Sequence, residues 1–290
     1  MNVKHILAIC IAFVLSACRA DYTVDVNPDF VMFPEESYTL GVIDSEEWLE
    51  IPISATNVVD YDRNIGVEVL WSKSSAIEGL HYVVESNTLT IPKGKLTTAF
   101  RIRGIVENIA VGEELTLHLC LVLDEENISE LYGTQSEVKL QRCCKFDINN
   151  FVGYAKMTST WTMQYMNSDA RLVRTELDKE KNSIVVKDMF YEGYDIEVSF
   201  DDSKPLEPRV ILQDAQVIGS TGEAFGTIYG DGKLLMSEPA GYSSYFGACE
   251  NFMVLYTMMY VENVGTVGTY VNIFEWISDD EAERIMREGF

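Results

Sequence analysis

Apolar and polar residues alternate with a period of two along most of this chain, and that pattern constrains the fold more than any other feature. In "LTLHLCLV" the residues Leu115, Leu117, Leu119 and Leu121 share one face, while Thr116, His118 and Cys120 share the other. "WLEIPIS" aligns Leu49, Ile51 and Ile53 in the same way, and "IGVEVLW" aligns Ile65, Val67, Val69 and Trp71. "YDIEVSF" sets Tyr194, Ile196, Val198 and Phe200 against Asp195, Glu197 and Ser199. Such runs predict antiparallel strands with one face buried. "FMVLYTMMYV", residues 252–261, is apolar on both faces and predicts a central strand. A helix is predicted only at the end, where Ser278 caps "DDEAERIMREGF" with acids in the first turn. Glycine-bearing turns fall at "IPKGK" (91–95), at "YGDGK" (229–233), with a hairpin tip at Asp231-Gly232, and at "VENVGTVGTY" (261–270). The polar stretch 124–150 interrupts the alternation and predicts a last strand followed by a domain boundary near Cys144.

Charge narrows the partners. The 290 residues carry 46 acids against 22 bases, a net charge of −24, so electrostatic binding to nucleic acid or anionic lipid is excluded. A hydrophobic content of 47% and an aromatic content of 11% are too high for a disordered acidic tail. The acids therefore belong on the surface of a folded body, and the length predicts two domains.

The N-terminus begins with the basic "MNVKH" and continues with ten apolar residues, Ile6 to Leu15. Ten helical residues cover about 15 Å, roughly half a hydrocarbon core, which predicts a secretory signal rather than an anchor. Leu15-Ser16-Ala17-Cys18 resembles the bacterial lipobox, in which the cysteine takes a diacylglycerol thioether and becomes the acylated first residue. The resemblance implies a signal peptide over 1–17, lipidation at Cys18, a tether over 18–24 and membrane attachment through acyl chains, each buried methylene adding about 0.8 kcal/mol. Arg19-Ala20-Asp21-Tyr22 follows in place of a dense acidic run. The expected location is the outer membrane, at the cell surface, with the periplasmic face left open. Cys120, Cys143, Cys144 and Cys249 remain, and in an envelope compartment their three possible pairings stay open. Adjacent Cys143 and Cys144 splay to opposite sides of an extended backbone, so no zinc site is expected.

Residues 62–121 carry a strand, then Ser75-Ala76-Ile77-Glu78-Gly79-Leu80-His81-Tyr82, then a hairpin over Asn87 to Gly94 and two further strands. This order resembles the Calx-beta family of immunoglobulin-like sandwiches and its relatives among Bacteroidota lipoproteins. The likeness implies a Greek-key β-sandwich of seven strands for domain 25–144. Calcium-binding members use acids in the interstrand loops; here His81 stands where an Asp precedes Tyr82, and Glu107-Asn108 and Glu113-Glu114 replace the usual acidic run. Calcium wants six to eight oxygens, so neither metal nor cofactor is expected. Domain 145–290 opens with "FVGYAKMTSTWTMQYM", which resembles a lipocalin opening and puts Ala155, Met157, Trp161, Met163 and Tyr165 on one face. It implies an antiparallel curved sheet or small barrel, followed by the short C-terminal helix.

No catalytic constellation is visible. The histidines beyond the leader are His81, at a turn, and His118, in mid-strand, and no nucleophile elbow, HExxH motif or phosphate loop occurs. Asp201-Asp202 ends a strand before Ser, Lys and two prolines, which is a solvated loop rather than a glycosidase pair. "EPAGYSSYFGACENF", residues 238–252, displays Tyr242, Tyr245 and Phe246 outside any alternation, and aromatic faces on loops stack on sugars or anchor peptides. The competing arrangement folds these rings back as a lid on the core. Trp71 and Trp161 are expected in the core. The sequence thus predicts a non-enzymatic, lipid-anchored surface lipoprotein that binds glycan or peptide beside an outer-membrane importer. The alternative is an adhesion or structural module without a small ligand.

Overall fold

The computed structural model describes residues 29–128 and 133–290. The predicted leader, the Cys18 lipidation site and the tether lie outside the described residues. The fold is all-β, as the alternation predicts, and it contains a two-sheet sandwich, a closed barrel and a short C-terminal helix.

The sandwich strands are β1 (Val31–Met32), β2 (Ser37–Val42), β3 (Leu49–Ala55), β4 (Arg63–Val69), β5 (Tyr82–Val84), β6 (Thr88–Ile91), β7 (Thr97–Gly104), β8 (Glu114–Val122) and β9 (Gln135–Arg142). One sheet has the order β1-β3-β7-β5 and the other β2-β9-β8-β4-β6. Among the described residues that makes nine strands where the resemblance implies seven, with β2 lying parallel to β9. The turn over 91–95 is not a hairpin: β6 pairs with β4 and β7 with β3, so "IPKGK" carries the chain from one sheet to the other. Ile51, Ile53, Phe100 and Ile102 face Ile65, Val67, Leu117 and Leu119 across the core, all buried. Each such side chain contributes about 1.5–3 kcal/mol.

Trp71 departs from its expected place. The alternation of β4 stops at Val69, and the chain turns over Trp71–Ser74, where Ser74 N–H donates to the Trp71 carbonyl. The indole is 83% exposed. Trp71→Ala should therefore change the unfolding free energy by no more than about 0.5 kcal/mol in a urea titration.

The remaining strands are β10 (Gly153–Ser159), β11 (Arg171–Asp178), β12 (Ser183–Lys187), β13 (Ile196–Asp201), β14 (Arg209–Leu212), β15 (Gln216–Ser220), β16 (Lys233–Ser237), β17 (Tyr245–Gly247), β18 (Phe252–Val261) and β19 (Gly265–Trp276). Antiparallel pairing runs β10-β11-β12-β13-β14-β17-β18-β19 and returns from β19 to β10, which closes a barrel. β18 is central, as its two apolar faces predict: it pairs along its length with β19, and on its other edge first with β17 and then with β16. The β15–β16 pair completes the wall toward the far end. There the Gln216 side chain imitates a peptide group, its Oε1 accepting from Glu197 N–H at 2.7 Å and its Nε2 donating to the Glu197 carbonyl at 2.8 Å.

The barrel interior is filled with packed side chains, among them Phe151, Met157, Trp161, Ile184, Met253 and Phe274. Buried Asn272 is satisfied within the wall: Ser159 donates to its Oδ1 at 2.6 Å, and its Nδ2 donates to the Leu255 carbonyl and Thr257 Oγ1 at 3.0 Å. β10 ends at Ser159, and the chain winds into a helical turn over Thr162–Met166. Trp161 is buried as predicted, but Met163 is exposed and Tyr165 reaches Trp161 by stacking at 4.2 Å rather than by strand alternation. Between β15 and β16 lies a further helix, α1 (Thr221–Phe225), with Ser220 and Glu223 forming a reciprocal capping box, so Asp231-Gly232 closes a longer connection than a hairpin tip. α2 (Asp279–Glu288) starts at Ser278, whose side chain accepts from Glu281 N–H.

The cysteine pairing is resolved: Cys144 bonds Cys249, 105 residues away, while Cys120 and Cys143 are free thiols. The bridge fastens the segment between sandwich and barrel to the turn between β17 and β18. Burial pushes the Cys143 thiol pKa up. A Cβ on Gly41 would stand 2.8 Å from Cys143 Sγ and 3.3 Å from Leu206, so the missing side chain on β2 is what lets the barrel loop 202–208 approach the sandwich.

Candidate functional site

Period two decides which rings of the 238–252 segment face outward. That segment is not wholly irregular: Tyr245–Gly247 is strand β17, and its register pairs Tyr245 with Arg209 of β14. Register partners share a face, so both side chains stand on the outer wall, and the next residues, Val210 and Phe246, both turn inward. Phe246 is 2% exposed and joins the rings of Phe146, Phe151 and Phe200 at centroid distances of 4.9–5.6 Å. The expectation that Phe246 offers a face to a ligand is corrected; it is a core residue. Tyr242 and Tyr245 are 51% and 42% exposed.

The two tyrosines do not stand alone. The Tyr245 ring meets the Phe252 ring edge-on at 6.1 Å, and the Tyr242 ring lies 5.2 Å from Tyr256. Phe252 and Tyr256 both project from the outer side of β18, four residues apart, with the Phe252 ring lying over Gly247 where a Cβ would stand 2.2 Å from it. The outer wall of β17–β18 thus carries a strip of aromatic rings, of which the sequence reading found Tyr242 and Tyr245 but not Phe252 and Tyr256. Its signal was present in Phe252 and Tyr256 at even spacing, but a strand apolar on both sides conceals which ring set faces water.

Beside Tyr245 the wall opens into a hollow of about 470 Å³, bounded by Asp201, Lys204, Glu207, Arg209 and Ser243. Arg209 donates to Ser243 Oγ at 2.7 Å, and Lys204 and Glu207 stand 3.9 Å apart. Ser203, through its hydroxyl and its backbone N–H, holds the Asp201 carboxyl below the usual carboxylate range, with Arg209 and Lys204 adding to the effect. Two cations and two carboxylates in one hollow, next to an exposed ring, give donors and acceptors without a strong net field. Such a surface suits a neutral hydroxyl-rich molecule.

The two histidines weighed for catalysis are engaged elsewhere, whereas Asp201 borders the hollow. His81 Nδ1 accepts from Ile77 N–H at 3.0 Å within its turn, and His118 Nε2 lies 3.5 Å from Glu137 on the outer sandwich face. The loop acids at the Calx-beta ligand positions have local partners: Glu107 accepts from Ser45, Glu113 from Ala110 N–H, and Glu114 pairs with Lys139. Among the described residues no group of three or more His, Cys, Asp or Glu side chains converges as a metal site.

Several solved structures are similar to this chain at low identity and low TM-score. A protein of unknown function from Bacteroides ovatus is 10% identical, with a TM-score of 0.37 over 87% of this chain and 92% of that one. A second Bacteroides ovatus protein of unknown function is 12% identical, with a TM-score of 0.34 over 85% of this chain and 95% of that one. The apo-form Calx CBD1 domain is 17% identical, with a TM-score of 0.33 over 40% of this chain and 98% of that one. No curated protein matches the chain. The family model described as domain of unknown function DUF4984 matches residues 131–288, from the approach to β9 to the last turn of α2. That stretch is more than half of the sequence and contains the whole barrel with its aromatic strip, so the chain belongs to the DUF4984 family.

Proposed function

We propose that this protein is a non-enzymatic, lipid-anchored envelope protein that binds a glycan on the outer wall of its barrel, as an accessory to nutrient uptake through an outer-membrane importer. The observation that carries the reading is the aromatic strip of Tyr245, Phe252, Tyr242 and Tyr256 beside a hollow edged by hydroxyl, carboxylate and cationic groups. Tyrosine and phenylalanine faces stack on the apolar face of a pyranose, and paired carboxylate and guanidinium groups take its hydroxyls in bidentate fashion. The anchor rests on Leu15-Ser16-Ala17-Cys18, and among the described residues no helix is long and apolar enough to cross a membrane.

Native gels cast with a panel of soluble polysaccharides test the reading. At least one polysaccharide should retard the protein, and no retardation across the panel, or binding to extended peptides alone, would overturn it. The pH dependence is also set. The depressed Asp201 pKa keeps that carboxylate charged through neutral and mildly acidic conditions, so its contribution to binding is constant there. The part of the retardation that Asp201 supplies should be lost only as pH falls through its depressed pKa, and gels of parent and Asp201→Asn run from neutrality downward will read it.

A further inference from the structure

A second hollow, of about 300 Å³, lies between the two domains. The sandwich gives it Ile43 and Arg142, the connecting segment gives Lys145 and Phe146, and the barrel gives Leu206 and Cys249 of the disulfide. It lies across the 202–208 loop from the Tyr245 hollow. Domain junctions and volumes near 300 Å³ are where small-ligand sites begin.

Two of the residues that line it, Arg142 and Lys145, are cations. Acids outnumber bases 46 to 22, and cations such as Arg63, Arg101, Lys139, Lys181 and Lys187 each have a carboxylate in ion-pair contact, while others such as Lys73, Lys156 and Arg171 have none among the described residues. Arg142 and Lys145 take part in none of the ion pairs among the described residues. Asp202 and Glu250 border the same hollow and pair with neither. Arg142 makes one long hydrogen bond, from Nη1 to the Ile109 carbonyl at 3.4 Å, and its Nε is buried without an acceptor. A guanidinium at the edge of a hollow with a buried Nε lacking an acceptor and only one long hydrogen bond has donor capacity left for an external acceptor.

We propose that this junction hollow binds a small organic carboxylate with a flat apolar body. The Arg142 fork and the Lys145 ammonium take the carboxylate, while Phe146, Leu206 and Ile43 cover the body. A bare inorganic anion would leave that apolar lining uncovered. The site is independent of the glycan reading, because it shares neither Tyr245 nor Arg209.

Ligand-observed NMR on the oxidised protein with benzoate, cinnamate and 2-naphthoate, each against its neutral amide, tests the proposal. At least one carboxylate should bind about ten-fold or more tighter than its amide, as the loss of a charged hydrogen-bond partner requires. Arg142→Met and Lys145→Met should each weaken it about five-fold or more, and Tyr245→Ala should leave it unchanged. Lys145 is exposed, so Lys145→Met gives a folded variant even where Arg142→Met does not. Equal affinity for acid and amide, parent-like binding by both variants, or no carboxylate bound below about 10 mM would each overturn it.

Discussion

Replacing Cys249 with Ser will lower the unfolding free energy by about 2–5 kcal/mol, the range for a native bridge that closes a long loop. The Cys144–Cys249 bond closes 105 residues, which hold the barrel strands from β10 to β17. Cross-linking that span removes much of the freedom of the unfolded chain, and reduction returns it. Urea titrations of parent and variant, with and without dithiothreitol, measure the loss. The parent under reductant should coincide with Cys249→Ser, and the variant should not respond to reductant. Cys144→Ser should behave as Cys249→Ser does. Cys143→Ser should keep the bridge and the response to reductant, because the Cys143 thiol points instead into the packing between Gly41 and Leu206.

Arg63→Met will cost about 3–5 kcal/mol, the penalty for breaking a buried ion pair from one side. Arg63 is 5% exposed, and its Nε and Nη2 donate to the two carboxylate oxygens of Asp29 at 2.8 and 2.5 Å. Nη2 also donates to the Asn57 carbonyl and Nη1 reaches the Lys95 carbonyl at 3.5 Å, so one side chain holds the start of β4, the turn before β7 and the first described residue together. Removing the guanidinium leaves the Asp29 carboxylate without its counter-charge in a largely buried place. The double variant Asp29→Leu with Arg63→Met should recover a large part of the loss, since a buried pair replaced by apolar groups is near neutral. Urea midpoints of the single and double variants check both statements.

Where one face of a strand is buried and the other wet, the chain announces itself. β3, β8 and β13 lie where the alternation of Leu49–Ile53, Leu115–Leu121 and Tyr194–Phe200 predicts. The reading fails where tertiary packing overrides the period. "TSTWTMQYM" continues the β10 alternation on paper, yet Trp161 is the ring that packs against Phe190, Phe225 and Tyr270 at the barrel end, and the chain turns helically there to bring Tyr165 onto it. The capping box of α1 was legible in Ser220 and Glu223, but a helix of five residues leaves no periodic stripe to confirm it. Trp71 shows the converse, since a period-two match says nothing about where a strand stops. For the candidate site, Tyr242 and Tyr245 were visible as aromatics in a glycine-rich segment. Phe252, Tyr256, Arg209 and Ser243 were not, because only barrel closure brings β14, β17 and β18 side by side.

Calorimetric titration of an oligosaccharide from the polysaccharide that retards the protein, into parent and into Tyr245→Ala, tests the binding surface most directly. Tyr245 is half exposed on the outer wall, so the variant should unfold at the parent's temperature while binding about ten-fold or more weakly, as loss of an aromatic anchor requires. Equal affinities for parent and Tyr245→Ala would contradict a glycan site on the β17–β18 wall.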